Sequence, residues 1–472
     1  MAGSQRSRNL ASAVNPRSRR MRPARDNARV SKPPPHADDD RRELWFRSAT
    51  GLAALVRERR ITAAALLEAH LERIDHVNGR LNAVVQVDRE GARAAARSAD
   101  DALARGDAVG PFHGVPFTAK DNMETAGIVT AVGVAERAGV VPTTDATVVT
   151  RLKAAGAILI GKTNVPPWGG GSETDNELYG RTNNPYDLER TPSGSSGGEA
   201  AIIAAGGSAM GVGSDSGGSI RDPAHFCGLA ALKPTAGLIP VTGVLDDLGP
   251  FGIMSDPRTQ VGPIARSVAD VVAMTSILVG PDGIDAGCVP VPVRDPSQVA
   301  MNGLRIALQV DNGMATPSAD TIATLHAAAD ALREAGAIVG EAQHPSGGHD
   351  LTRDIWDSYE DGVSGPDVYR LLRRWDAFRT AMLRWFAAWD AILCPVYPTP
   401  AHRHGEPVPR GLSHTTPYSL TGWPCAVVRA GTSGEGLPIG VQLVAGPWRD
   451  HVALALAAAI EERLGGFRPP AL

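Results

Sequence analysis

Residues 193–221 read SGSSGGEAAIIAAGGSAMGVGSDSGGSIR, and the fold is organised around them. Nine glycines and seven serines fall within this stretch, a density that usually marks a flexible linker. A linker does not carry the apolar run 200–205 or the segment Met210-Gly-Val-Gly-Ser-Asp215. Glu199 to Ala205 reads instead as a helical patch. The glycines around it let the backbone approach a ligand and expose N–H groups in unusual conformations. In the second half, Ser219 directly follows two glycines. The successive N–H groups of Ser216, Gly217, Gly218 and Ser219 are placed to converge beside its hydroxyl, as an oxyanion site requires.

A serine hydroxyl is inert without a base. The segment Gly114-Val-Pro-Phe-Thr-Ala-Lys120-Asp-Asn reads as a short buried strand that ends on a lysine. Desolvation there favours the neutral amine. Bringing a lysine from its ordinary value to near neutrality takes about 3 pK units, or roughly 4 kcal/mol, which burial can supply. Lys120 is therefore the candidate base. Two motifs point elsewhere and fail on context. Gly156-Ala-Ile-Leu-Ile-Gly161-Lys162-Thr163 fits a phosphate loop, but its four middle residues are themselves a strand, and the following Asn164-Val-Pro-Pro-Trp168 cannot start a helix. Gly194-Ser-Ser196-Gly-Gly198 fits a nucleophile elbow, but the preceding Thr191-Pro-Ser-Gly is loop rather than strand. His225, downstream, leaves a Ser-His-Asp esterase as an alternative.

Outward from this centre, helix and strand alternate, which gives the α/β class. Thr62 caps a helix to about His76, and a second helix spans about Asp88 to Ala104. Asp145 to Ala155 is helical, Ala157 to Ile160 a strand, and a Gly/Asn/Pro-rich loop continues to Ser196. Near the end, 437–445 is a strand and His451 to Leu464 a helix. The Pro/Gly/Asp-rich span from Pro281 to Pro296 fits a crossing connection or a linker equally. Leu371, Trp375, Phe378, Met382, Trp385 and Trp389 recur at helical spacing, as in an amphipathic helix against the core or an aromatic pocket wall.

The chain has 472 residues, 43% of them hydrophobic, with 47 basic and 51 acidic side chains. No run approaches the ~18 apolar residues of a membrane span. The four cysteines lie far apart with no CxxC or HExxH, so neither a disulfide framework nor a metal site is expected, and the cytoplasm is the expected location. Residues 1–32 carry eight arginines and Lys32 against Asp26 alone. Residues 1–40 are expected to be a disordered, dispensable Arg/Pro-rich tail. A targeting sequence or a nucleic-acid-binding arm is the alternative, and Arg19-Arg20 lacks the apolar region of an export signal.

The blocks Gly114-Val-Pro-Phe-x-x-Lys120-Asp, Gly161-Lys-Thr-Asn164, Asn184-Pro185, Gly194-Ser-Ser-Gly-Gly198, Asp215-x-Gly-Gly-Ser-Ile-Arg221, Gly228-Leu-x-x-Leu-Lys-Pro-Thr235 and Gly262-Pro-x-x-Arg-Ser267 occur in this order. Together with Leu420-Thr-Gly-Trp-Pro424 and Leu437-Pro-Ile-Gly-Val-Gln442, they resemble the amidase signature family over roughly residues 45 to 465. The spacing is similar to that of the fatty acid amide hydrolase-like and aryl acylamidase members. The resemblance implies one large α/β fold over 41–472, with its signature core at about 110–270 and helices on both faces of a mixed central sheet. It implies a triad of Ser219 as nucleophile, Ser195 as a bridging serine in a cis peptide and Lys120 as base, with Ser196, Asp215 and Arg221 in support. It implies hydrolysis of small amides, anilides or carbamates by water through an acyl-enzyme, without cofactor, metal, nucleic acid or membrane, in a monomer or homodimer. A glutaminase-type subunit of a tRNA-dependent amidotransferase is the alternative within the family. Trp168, Gly170 and Trp423 are the expected substrate contacts, for a bulky apolar or aryl group. Two departures stand out: Ser193-Gly194 replaces the more usual Gly-Gly, and Glu199 replaces a common small residue.

Overall fold

The computed structural model describes residues 42–246, 249, 250, 252, 256–361 and 363–472. The expectation for residues 1–40 lies outside the described residues. In chain order the strands are β1 (Val84–Val87), β2 (Pro116–Lys120), β3 (Ile158–Thr163), β4 (Met210–Asp215), β5 (Ala230–Lys233), β6 (Leu245–Asp246), β7 (Gly249–Pro250), β8 (Gln260–Ala265), β9 (Arg305–Leu308), β10 (Ile338–Glu341), β11 (Ala391–Pro395), β12 (Cys425–Thr432) and β13 (Pro438–Ala445). The principal helices are α1 (Ala49–Arg57), α2 (Ala63–Leu81), α3 (Arg89–Arg105), α4 (Thr147–Ala154), α5 (Gly197–Ala204), α6 (Arg221–Phe226), α7 (Val268–Leu278), α8 (Ala319–Glu334), α9 (Gly348–Asp361), α10 (Gly365–Phe386), α11 (Thr416–Thr421) and α12 (Asp450–Leu464).

Eleven strands form one mixed sheet in the order β1-β3-β2-β4-β8-β5-β12-β13-β11-β9-β10, and β6 pairs with β7 apart from it. The trio β3-β2-β4 is parallel, and β4 then meets β8 antiparallel. Every residue of β2, β3, β4 and β8 is buried, as continuous apolar strands covered on both faces must be.

The helix starts follow their caps. Thr62 Oγ1 accepts the Ala65 N–H at 3.0 Å and begins α2. That helix outlasts the expected end at His76 because Val77 and Leu81 continue its buried face, and it stops where Asn82 turns left-handed. β3 also runs past the expected Ile160, so the Gly-Lys-Thr run is strand rather than phosphate loop. A β-carbon on Gly161 would lie 2.1 Å from the Gln86 carbonyl oxygen, so this glycine serves the approach of β1.

The main core joins the sheet to α1, α2, α7, α8 and α12. A second apolar cluster lies under α10, which buries Trp375, Phe378, Met382 and Phe386. The aromatic repeat is thus a packing stripe. Trp375 Nε1 donates to the Leu420 carbonyl at 2.6 Å and ties α10 to α11. All four cysteines are buried free thiols. Among the described residues no helix is long and apolar enough to cross a membrane.

The first turn of α1 is capped from another helix. Asp270 of α7 accepts the N–H of Ala49 and of Thr50, both at 2.9 Å, and the Thr50 hydroxyl at 2.8 Å. Asp270→Ala strands buried donors at a helix N-terminus and is expected to cost about 2–3 kcal/mol in urea or thermal unfolding. An unchanged midpoint would remove this cap from the account of how α1 is held.

Candidate active site

Lys120 is the last residue of β2, between β3 and β4, and is fully buried. Its Nζ lies 2.6 Å from Ser195 Oγ, 2.8 Å from Ser214 Oγ and 3.4 Å from the Ser214 carbonyl oxygen. Burial drives the Lys120 pKa down to about 7, against the opposing pull of the Asp215 and Glu199 carboxylates. Two residues on, Asn122 Nδ2 donates to Ser214 Oγ and to the Leu245 carbonyl, each at 3.2 Å. The amine therefore sits in a pocket of hydroxyl and carbonyl oxygens with no carboxylate in hydrogen-bonding contact.

Ser195 belongs to an irregular segment with no strand feeding it, and the Gly194–Ser195 peptide is cis. Ser196 N–H donates to the Ser219 carbonyl at 3.1 Å, and Ser196 Oγ donates to the Ser214 carbonyl at 3.3 Å. These bonds register the serine pair against β4 and against the segment that carries Ser219. Ser219 is half-buried, two residues before α6.

Asp215 ends β4 and organises the turn that follows. Its carboxylate accepts Gly218 N–H at 2.9 Å and Ile220 N–H at 3.1 Å, and pairs with Arg221 through Nε at 2.9 Å and Nη2 at 2.8 Å. Such bidentate, charge-assisted contacts are the strong ones. Burial alone would raise the Asp215 carboxyl, yet the Arg221 guanidinium holds it below its ordinary range. Arg221 also donates to the Thr415 carbonyl, Ser419 Oγ and Gln442 Oε1, at 2.8, 2.8 and 3.3 Å, and so ties the turn to α11 and β13. One expectation is corrected here. The Gly218 N–H is taken by Asp215, so of the four N–H groups expected to converge, it is not one turned toward an oxyanion.

Glu199, the departure in the first turn of α5, is fully buried. It accepts from the Thr118 hydroxyl of β2, and from Thr163 Oγ1 of β3 at 2.8 Å. A β-carbon on Gly211 would lie 1.7 Å from Glu199 Oε1, so β4 leaves room for this carboxyl. Burial raises Glu199 to about 8, against the hydrogen bonds from both threonines and the charges of Lys120 and Lys162. Burial thus favours its protonated form, and it fastens the helix that follows the serine pair to the strand that carries Lys120. Lys162 has a separate role, pairing with Asp121 at 3.3 Å and donating to the Met123 carbonyl at 2.7 Å.

The substrate-side expectations fare unevenly. Trp168 is half-buried in a short turn over the serine pair, with Arg137 6.0 Å above its ring. Gly170 is exposed, and a β-carbon on it would meet only the Pro167 carbonyl, whereas one on the adjacent Gly169 would come within 3.8 Å of Ser195 Oγ. Trp423 is no pocket residue: it is 3% exposed in the second core cluster, 4.7 Å from the Phe386 ring. The tryptophan that packs on the turn before Ser219 is Trp356 of α9, which a β-carbon on Gly217 would strike at 2.7 Å. Beyond it opens a cavity of about 520 Å³ whose lining includes His349, Asp350, Arg353, Asp354, Tyr397 and Arg410. That lining is charged, where the tryptophans suggested an apolar one. His225 stands apart from this chemistry: Nδ1 accepts the Gly440 N–H at 2.8 Å, Nε2 donates to the Thr399 carbonyl at 3.0 Å, and burial lowers its pKa to about 4. A histidine so occupied is a poor base for any serine here.

Ser214, Asn122, Gly169 and Trp356 were not singled out from the sequence. Asn122 lies in the turn that follows β2, where the strand periodicity no longer applies. Trp356 comes from an unrelated helix with no local signal.

Comparison with known proteins agrees with this geometry. The amidase family matches residues 65–356 and 368–454. A glutamyl-tRNA(Gln) amidotransferase subunit of Moorella thermoacetica is 33% identical, over 89% of this chain and 97% of its own. The indoleacetamide hydrolase of Bradyrhizobium diazoefficiens is 35% identical, over 89% of this chain and 87% of its own. Among solved structures, 6-aminohexanoate cyclic dimer hydrolase complexed with substrate superposes with a TM-score of 0.80 at 29% identity, covering 91% of this chain and 99% of that one. The chain belongs to the amidase family.

A neutral Glu199 has a checkable consequence. Glu199→Gln, which copies the protonated acid, is expected to keep the unfolding free energy within about 1 kcal/mol, whereas Glu199→Ala leaves a void and takes the partner from the Thr163 hydroxyl, at a cost of about 2–4 kcal/mol. Strong destabilisation by the glutamine in a denaturant titration would mean that the carboxyl is ionised.

Proposed function

We propose that this protein is a serine amidase that hydrolyses a C–N bond through an acyl-enzyme on Ser219. The observation that carries the reading is the fully buried Lys120 amine 2.6 Å from Ser195 Oγ. Neutral Lys120 accepts the Ser195 hydroxyl proton while Ser195 accepts that of Ser219, and Ser219 Oγ attacks the carbonyl carbon. The carbonyl π pair moves to oxygen, where the N–H groups of Ser216, Gly217 and Ser219 are the candidate donors. As the tetrahedral intermediate collapses, the C–N bond breaks and the proton returns through Ser195 to the leaving nitrogen. Water then repeats the cycle on the ester, releasing the acid and restoring Ser219.

Anilides, aryl amides and carbamates all present a carbonyl with a nitrogen leaving group to this machinery. The substrate in this reading is a small amide or carbamate, and the chain works as a monomer or homodimer in the cytoplasm. The names of the matched relatives, an indoleacetamide hydrolase and a 6-aminohexanoate cyclic dimer hydrolase, support C–N hydrolysis. A second reading, a glutaminase-type subunit, is supported by the relatives named as glutamyl-tRNA(Gln) amidotransferase subunits.

Lys120 acts as base only when neutral, so kcat/KM is expected to rise with pH through about 7 and to fall about tenfold per unit well below it. Lys120→Ala is expected to lower p-nitroanilide turnover by about three to four orders of magnitude, while His225→Ala, if folded, retains most of it. A fluorophosphonate probe should label Ser219 on peptide mapping; labelling at another serine would overturn the assignment. Turnover by the purified chain alone separates a hydrolase from a subunit that needs its partners.

A further inference from the structure

Asp222 lies three residues past Ser219, and the ion-pair network around Asp215 makes no use of it. Its side chain is 1% exposed, and neither carboxylate oxygen has a hydrogen-bond partner among the described residues. The adjacent cation is already spent: Arg221 directs its N–H groups to Asp215, Thr415, Ser419 and Gln442. Burial pushes the Asp222 carboxyl well above its ordinary range, with Arg221 opposing and the Asp215 charge adding to the rise. A buried polar group left without a partner costs about 1–3 kcal/mol, more if charged, and such groups in native proteins call for an explanation.

Its position supplies one. A β-carbon on Gly218 would lie 2.3 Å from Asp222 Oδ2 and 2.9 Å from Thr415 Oγ1, so the carboxyl packs on the backbone immediately before Ser219. Asp222 and Phe226 are one turn apart on α6 and share a face. The Phe226 ring meets Tyr397 edge-on at 5.1 Å, and Tyr397 lines the charged cavity beside the site. The Tyr397 phenol in turn is raised by burial first and by the Asp222 charge second. The carboxyl therefore packs on the backbone just before Ser219, on the helix face whose Phe226 touches Tyr397 of that cavity.

We infer that Asp222 determines specificity at this site and selects amides that carry a protonated amine a few atoms from the scissile carbonyl. The inference rests on the amidase reading of Ser219. An ammonium group brings three donors and a compensating charge to a carboxylate that has neither. With a neutral or an anionic substrate Asp222 stays protonated and contributes no charge attraction. Asp350 and Asp354 at the cavity lining favour the same sign of substrate, and Arg353 and Arg410, which face them there, oppose it.

The test compares the p-nitroanilides of β-alanine and of butyric acid, which match in shape and differ by an ammonium for a methyl. A second pair, N-(2-aminoethyl)acetamide and N-propylacetamide, moves the cation to the leaving amine. The native protein is expected to favour the ammonium member of at least one pair by about tenfold to a hundredfold in kcat/KM. Asp222→Asn is expected to bring that ratio near unity. The inference is overturned if the native protein shows no ammonium preference in either pair, a result that needs no variant, or if Asp222→Asn leaves the ratio intact. Butyranilide turnover without preference defeats this inference alone. No turnover of any member together with no labelling of Ser219 defeats the amidase reading beneath it.

Discussion

An amine kept out of water is the constraint on which the rest of the site depends. A lysine in solution is an ammonium near neutrality and cannot accept a proton. At the end of β2, enclosed by β3 and β4, Lys120 loses the hydration that stabilises its charge, and its proton affinity falls to about neutrality. The surroundings refine this. Ser195, Ser214 and Asn122 provide hydrogen bonding without negative charge, while Asp215 is neutralised by Arg221 and Glu199 is held largely protonated. A carboxylate in contact with the amine would have restored the ammonium. Burial likewise favours the protonated form of Glu199, the departure in the first turn of α5.

The second constraint is registration. Ser195, Ser219 and Lys120 come from three separate segments, and the segments are held in register by contacts of their neighbours. Ser196 binds the carbonyls of Ser214 and Ser219, Glu199 binds the threonines of β2 and β3, and Asp215 gathers the turn before α6. Backbone and neighbouring side chains thus hold these segments, while the Ser195 hydroxyl meets the Lys120 amine.

Much of this was legible in the sequence, for physical reasons. Local signals carried it: Thr62 and Asp88 announced their helices as caps, and the apolar run ending on Lys120 announced both a covered strand and a buried amine. The strand reading of 157–160 also disposed of the phosphate-loop match, and β3 bears it out by continuing through the glycine. Contacts between distant segments were not legible. Trp423 sits in a loop-like run yet is buried by Phe386 of α10, which only the tertiary packing of α10 on α11 decides. Gly169 rather than Gly170 approaches Ser195 because Trp168 turns left-handed, a conformation that the local composition does not announce. The aromatic spacing of α10 was clear, but whether its stripe faced a core or a substrate depended on what covered it.

The strand order has a consequence for how the molecule comes into being. β5 pairs with β12, so residues 231–233 meet residues 425–427, and the Arg221 guanidinium waits for Gln442. During synthesis the nucleophile segment and the lysine strand leave the ribosome long before the partners that complete the middle of the sheet. Such long-range pairing is slow to form and leaves strand edges uncovered meanwhile. The middle of the sheet therefore closes late, and a chain cut short before β13 would keep the Arg221 contacts with Asp215, Thr415 and Ser419 but lose the one with Gln442.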